Sequence, residues 1–478
     1  VDPLRLHFPS NAPRLDPRPG GEFVLYWLQS TMRSHENTAL TTAVDLANQL
    51  RLPVLVYQGL RHDYPWASDR LHTFILESVI DLADRFAKRG IQYAFHLDPG
   101  SDSRPPRSPL IELADRAALV VTDWTPTFIA PRQIRSLRRR TVTPVIAVDS
   151  TTVVPVAHHD RDWPTARGIR PRLLAALPHY LHPVPDADPL IRLPIDLPFT
   201  PDHPTTTTIP ALVAQCPIDH TVPPSPTIRG GMAAAEARLD WFVEHGLPRY
   251  EEDRNDPMVD ATSRLSAHLH FGTIAIQRVL LTAREGGPEP QYARFLDEAL
   301  VWRELAHNFV SRDSRHRTLD ALPAWARQEL LDHAADPRPA LYDEETLDGG
   351  HTGDSLWNAC QRSLRQEGEL HNWLRMLWGK SVLQWTEHPA DALRLLEHFN
   401  NRYSLDGRDA NSYGGILWCF GKFDRPFYRR PVYGTVRYMS LTAARRKFDA
   451  KAFEVRSVTE GPHAAHPQRD NGPRRSPG

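Results

Sequence analysis

Between Phe23 and Val148 short apolar runs alternate with longer amphipathic stretches, and no other feature restricts the fold as much. Phe23-Val24-Leu25-Tyr26-Trp27-Leu28, Pro53-Val54-Leu55-Val56-Tyr57, Ile91 to Leu97, Ala118-Leu119-Val120-Val121 and Val145-Ile146-Ala147-Val148 read as five strands. Asn37 to Leu50, Asp69 to Arg89, Pro109 to Ala117 and Pro131 to Arg140 read as the helices between them. Strands apolar on both faces and alternating with helices specify a five-stranded parallel sheet covered on both sides, a Rossmann-like α/β domain. The turn after the first strand is Gln29-Ser30-Thr31-Met32-Arg33 and lacks the glycine-rich dinucleotide fingerprint. A ligand at these strand ends must therefore be held differently.

A chain of 478 residues exceeds one small core, so two or three domains are expected. Residues 1–21, rich in Pro, Arg and Asp, read as an irregular arm, and 22–150 as the α/β domain. From 151 to 230 proline and threonine become dense and strand periodicity stops, which reads as a partly ordered linker. Residues 231–457 turn helical and form an all-α domain; 458–478 read as a disordered tail. Cys216, Cys360 and Cys419 are too few and too scattered for a disulfide framework or a zinc site, and no metal is expected. No apolar run reaches membrane-spanning length and no signal peptide is visible, so a soluble, cytoplasmic monomer without a membrane partner is expected.

Two blocks concentrate polar chemistry in the helical part. His371 to Trp385 has apolar residues at helical intervals and no proline until Pro389. Asn400-Asn401-Arg402-Tyr403 and Asp406 to Gly415, followed by Trp418, read as a tight loop feeding a new helix. Arg, Asp, Asn and Trp in an apolar neighbourhood are costly to bury without partners or a ligand. A helical core with a capped loop accounts for either block alone; two in succession favour a ligand site. Upstream, Thr262-Ser263-Arg264-Leu265-Ser266 can satisfy phosphate oxygens or simply cap a helix. From Lys422 to Lys451 nine Lys or Arg face Asp424 and Asp449, a local excess suited to a phosphate backbone or to a solvated face.

Read together, these blocks and Phe295 to Leu305 resemble the photolyase/cryptochrome flavoproteins, and most closely the class II cyclobutane pyrimidine dimer (deoxyribodipyrimidine) photolyases. The class II features are Leu356-Trp357-Asn358-Ala359, Leu374 to Lys380, Asn400-Asn401-Arg402-Tyr403 with Leu405 to Asp409, and Gly434 to Ser440. The resemblance covers about Phe23 to Phe453 and is strongest after Tyr250. It implies that the α/β domain is an antenna domain and the helical domain holds FAD. The implied activity is blue-light-driven repair of dimers in DNA by electron transfer from reduced flavin, a carbon–carbon lyase reaction.

By the same resemblance Tyr250, Thr262, Ser263, Leu265, Ser266, Asn372, Arg375, Asn400, Asp406 and Asp409 contact FAD. Arg375 and Asp406 would pair against the flavin ring, and Asn400 would face N5, its amide able to donate or accept. Trp378, Trp357 and Trp385, in that order, match a chain that re-reduces oxidised flavin; Trp378 and Trp385 are seven residues apart on one helix, about 10 Å at 1.5 Å per residue. Aliphatic Ile416, where many other photolyases carry a chain tryptophan, agrees with class II. Glu298, Trp302, Met376 and Trp418 would receive a lesion flipped out of the duplex, and Arg254, Asn255 and Arg437 would contact DNA.

Some positions depart from the family pattern. Gln29 to Arg33 leaves the antenna pigment, of deazaflavin or folate type, open. Ala267-His268 replaces a common Pro-Tyr, and Gly421 to Phe427 is short, with Phe423 and Phe427 where His and Trp are usual. Three rivals follow: a cryptochrome-like flavin photoreceptor without repair, a photolyase with another lesion preference, and a nucleic-acid-binding helical protein without cofactor.

Overall fold

A computed structural model describes residues 1–8, 16–100 and 108–459, with side chains to Val455. The five expected runs form β2 (Val24–Trp27), β3 (Val54–Arg61), β4 (Gln92–Asp98), β5 (Leu119–Asp123) and β6 (Val145–Val148), all mutually parallel. Because side chains alternate across a strand, Val24 and Tyr26 enter one core layer while Phe23, Leu25 and Trp27 enter the other. Helices α1 (Thr38–Leu50), α2 (Asp69–Lys88), α3 (Pro109–Arg116) and α4 (Ala130–Arg140) link the strands.

The sheet has six strands rather than five, in the order β1-β6-β5-β2-β3-β4. The extra one, β1 (Leu6–His7), comes from the arm expected to be irregular and pairs antiparallel with β6. Two residues carry no readable periodicity. Arg5 anchors them: its buried guanidinium donates to the carbonyls of Asp149, Thr152 and Val153 at 3.2, 3.0 and 2.6 Å.

Residues 151–230, expected as a linker, strap the two halves together. The helix Ala166–Tyr180 buries Ile169 and Leu173 in the helical core, and Arg170 grips Asp297 with a 2.7 Å bond. Farther on, Ile195 and Phe199 pack on one sheet face, while Val213 and Cys216 join a cluster with Leu60 and Phe95. The tail expected from 458 lies outside the described residues beyond Thr459.

The helical half has one contiguous core from Val153 to Phe453. Four of its helices matter most below: Ser355–Glu367, Asn372–Trp385, Pro389–Tyr403 and Ala410–Cys419. Asp354 caps the first by accepting from Trp357 N at 2.9 Å, and Gly368 ends it in the left-handed conformation at φ 78°. Pro389 starts the third, and Asp409 caps the fourth. A fifth run, Glu289–Leu296 into Arg303–Arg312, is interrupted by a π turn over Asp297–Trp302. Widened turns of this kind are frequent at functional sites, and this one carries Glu298 and Trp302.

Candidate functional site

The expected Arg375–Asp406 pair forms. Arg375 sits on the Asn372–Trp385 helix and meets the Asp406 carboxylate with both terminal nitrogens at 3.1 Å. Burial pushes the Asp406 carboxyl up; the Arg375 guanidinium, a bond from Ser266 and the nearby His270 outweigh it and leave the pKa below the usual carboxylate value. Asn400, buried on the Pro389–Tyr403 helix, donates from Nδ2 to Ser412 Oγ at 3.0 Å. Ser412 Oγ donates in turn to the Asp406 carbonyl at 2.9 Å. Asn400, Ser412, Asp406 and Arg375 thus form one hydrogen-bonded series drawn from three helices and a loop.

Asp409 forms a second polar knot beside it. One oxygen caps Asn411 N at 2.8 Å and the other faces His270 Nδ1 at 3.4 Å. Its pKa is lowered: burial raises it, but His270, His307 and Arg303 win. Ser263 and Thr262 lie on a loop held from below by Arg238, which bonds their carbonyls at 2.8 and 2.6 Å and pairs with Asp260. Leu265 is buried and Ser266 opens the next helix. Tyr250 is packed edge-on to Phe295 at 5.4 Å and lies beside Arg254 and Glu298. Asn372 is exposed on the first turn of its helix and joins neither knot.

The three expected tryptophans are brought together. Trp357 is stacked with Trp378 at 6.5 Å between ring centres and 8° between planes, and meets Trp385 edge-on at 5.5 Å. Bonds from Trp357 Nε1 to the Trp378 carbonyl (3.0 Å) and from Trp378 Nε1 to Gln361 (2.9 Å) lock the first two rings. Half-buried Tyr342 continues the row, 5.4 Å beyond Trp385. Neither Gln361 nor Tyr342 carries a signal in the sequence, since each depends on helices far apart in the chain.

On the other side, Trp302 stacks on Trp418 at 4.4 Å and 20°. Arg254 holds Glu298 at 2.7 Å, and Arg294 approaches the same oxygen at 3.3 Å, so an expected DNA contact pairs with an expected lesion contact. Met376 is half-buried, one residue after Arg375. The basic stretch needs correction. Lys422 is buried, its ammonium 3.8 Å above the Phe309 ring and 3.1 Å from the Ala321 carbonyl; Arg445 pairs with Asp354 and Arg429 with Glu329. Arg425, Arg430, Arg437 and Asn255 stay exposed, and Tyr428 is 93 % exposed among them.

At the strand ends the topological switch lies between β2 and β5, where α/β sheets commonly take ligands. Here Asp123 fills it, accepting from the N–H groups of Gln29, Ser30 and Thr31 at 2.8–3.0 Å and from Tyr26 Oη at 2.7 Å. An internal carboxylate thus occupies the nest that an anionic ligand would need.

Residues 24–189 match the family model for DNA photolyase. The deoxyribodipyrimidine photo-lyase of Methanothermobacter thermautotrophicus is 35% identical over 429 residues, covering 90% of this chain and 93% of that protein. The chain belongs to the DNA photolyase family. Its fold agrees with those of photolyase-family structures: a class III photolyase from Agrobacterium tumefaciens superposes with a TM-score of 0.66 at 20% identity, over 91% of this chain and 86% of that one. A Synechocystis cryptochrome reaches 0.66 at 16%, over 93% and 89%. Both likenesses speak to fold alone.

FAD is the cofactor of this photolyase family, and the residues present fit it. Arg375 Nε, in the first series, and Trp418 Nε1, in the Trp302 stack, are buried and unpartnered among the described residues, as polar atoms are where a group that is not protein completes them. Ser266, Arg375, Asn400 and Asp406 would hold the isoalloxazine and its neighbourhood, and Thr262 and Ser263 the phosphates. Among the described residues no helix is long and apolar enough to cross a membrane.

Proposed function

We propose that this chain repairs cyclobutane pyrimidine dimers in DNA under blue light, in the manner of class II photolyases. Bound FAD, when reduced and excited, supplies the electron that splits the dimer. The residues do the rest. The half-buried Arg375–Asp406 pair keeps compensated charge beside the ring site. The Trp302–Trp418 stack offers a flat apolar face for an extruded dimer, and Glu298, already pinned by Arg254, can accept from the bases. Exposed Arg437, Arg425 and Tyr428 lie on a segment suited to the vacated duplex, so binding should weaken as salt rises.

The observation that carries this reading is the Trp378–Trp357–Trp385 row, which shares the Asn372–Trp385 helix with Arg375. A packing role alone does not call for three indoles in contact, two of them with matched N–H partners. The test is an oligonucleotide with one dimer, incubated with reduced protein in blue light and in the dark. Dimer should disappear only in the light. Persistence of the dimer, with flavin bound and reduced, would overturn the repair reading and leave a flavin photoreceptor in its place.

A further inference from the structure

Asn400 can present either end of its amide to a ligand, and the two ends have opposite chemistry. We infer that Ser412 fixes which end is presented: it holds the Asn400 amide with its oxygen turned to the cofactor, so the site favours a flavin protonated at N5. The inference rests on the reading above that Asn400 faces flavin N5.

The bonding chain decides the orientation without relying on how amide atoms are assigned. The Asp406 carbonyl can only accept, so the 2.9 Å contact uses the one hydroxyl hydrogen of Ser412. Ser412 Oγ is then left with lone pairs only. Its 3.0 Å partner on Asn400 must be a donor, which is the amide nitrogen. Asn400 is 1 % exposed and Ser412 5 %, so water does not compete for these bonds. Asn400 Oδ1 receives no hydrogen bond from any described residue. A free oxygen at this point accepts from an N5–H group and repels the lone pair of an unprotonated N5. The sequence allows the amide to serve both forms; the Ser412 bond biases it toward one.

Ser412 is therefore a positioning residue, acting through Asn400 and touching no substrate. Its loss frees the amide to turn, and an amide nitrogen facing N5 favours the oxidised ring. Replacing Ser412 by Ala should shift the equilibrium between reduced and oxidised flavin roughly tenfold toward the oxidised form, about 30 mV lower in a two-electron midpoint potential. Ser412→Thr, which keeps the hydroxyl, should restore the potential of the unmodified protein.

The experiment is a redox titration of the full-length flavin-loaded protein, followed by absorption, for the unmodified chain, Ser412→Ala, Ser412→Thr and Asn400→Ala. A lowered potential in Ser412→Ala with recovery in Ser412→Thr supports the inference. If Asn400→Ala moves the potential and Ser412→Ala does not, Ser412 has no positioning role and the inference fails alone. If neither moves it, Asn400 does not face N5 and the reading beneath falls as well. Should Ser412→Ala not retain flavin, Ser412→Cys keeps the side-chain size with a much weaker acceptor, and an unchanged potential there sinks the inference equally.

Discussion

Trp357→Phe should abolish most photoreduction of oxidised flavin while leaving repair by chemically reduced protein near that of the unmodified enzyme. Trp357 is fully buried and is the one ring in contact with both others, 6.5 Å from Trp378 and 5.5 Å from Trp385. Phenyl nearly fills the space but is far harder to oxidise than indole, so it cannot serve as a relay. The substitution also removes the N–H that bonds the Trp378 carbonyl. An electron taken from Trp378 would then have no donor behind it and would return. Under blue light with an external reductant, bleaching of the oxidised flavin band should slow by well over an order of magnitude. Equal bleaching in Trp357→Phe and the unmodified chain would remove these three residues from the electron path.

Arg70→Met should be the most damaging single change outside the site. Arg70 lies on α2 of the α/β domain and is 1 % exposed. It donates to the carbonyls of Pro223, Leu364, Tyr403, Arg365 and Gln366 at 2.6–3.2 Å. Three of these belong to the last turn of Ser355–Glu367 and one to the end of Pro389–Tyr403, where helix dipoles favour a cation. One guanidinium therefore closes two helix ends and joins the domains. Methionine keeps much of the stem but orphans the carbonyls. With charged hydrogen bonds worth about 1.5–3 kcal/mol each and far from additive, a loss of about 3 kcal/mol or more is expected. Those helices carry Trp357 and Asn400, so flavin retention should fall with stability. A denaturation midpoint equal to that of the unmodified protein would refute this bracing role. Lysine should not substitute, since a single ammonium cannot reach carbonyls spread so widely.

How much could be read in advance follows from what each residue needs. The five parallel strands were legible because each carries a short apolar run that the sheet buries. The strand at Leu6–His7 was not, because two residues on an edge have no pattern and are held by Arg5 from outside. Trp378 and Trp385 could be placed by helical spacing alone; that Trp357 fills the gap between them is a matter of tertiary packing, and only the family resemblance anticipated it. Arg375 and Asp406 were recognisable as types, yet Ser412, which ties Asp406 to Asn400, looks like any serine near a helix start. Arg70 looks like a surface arginine on an amphipathic helix, and only the fold shows five carbonyls around it. Lys422 was misread in the opposite sense: charge in a basic run suggested a phosphate contact, whereas its stem is buried and its ammonium rests on Phe309. Charge is visible in a sequence, but the direction a long side chain takes is not.

The most direct measurement is the absorption spectrum of the purified full-length chain, before and after blue illumination with a reductant, with the flavin then released and counted. A yellow protein carrying one FAD per chain, whose oxidised band bleaches in the light, is the predicted result. A colourless protein that stays colourless after titration with FAD would contradict a flavin site built on Arg375, Asp406 and Asn400.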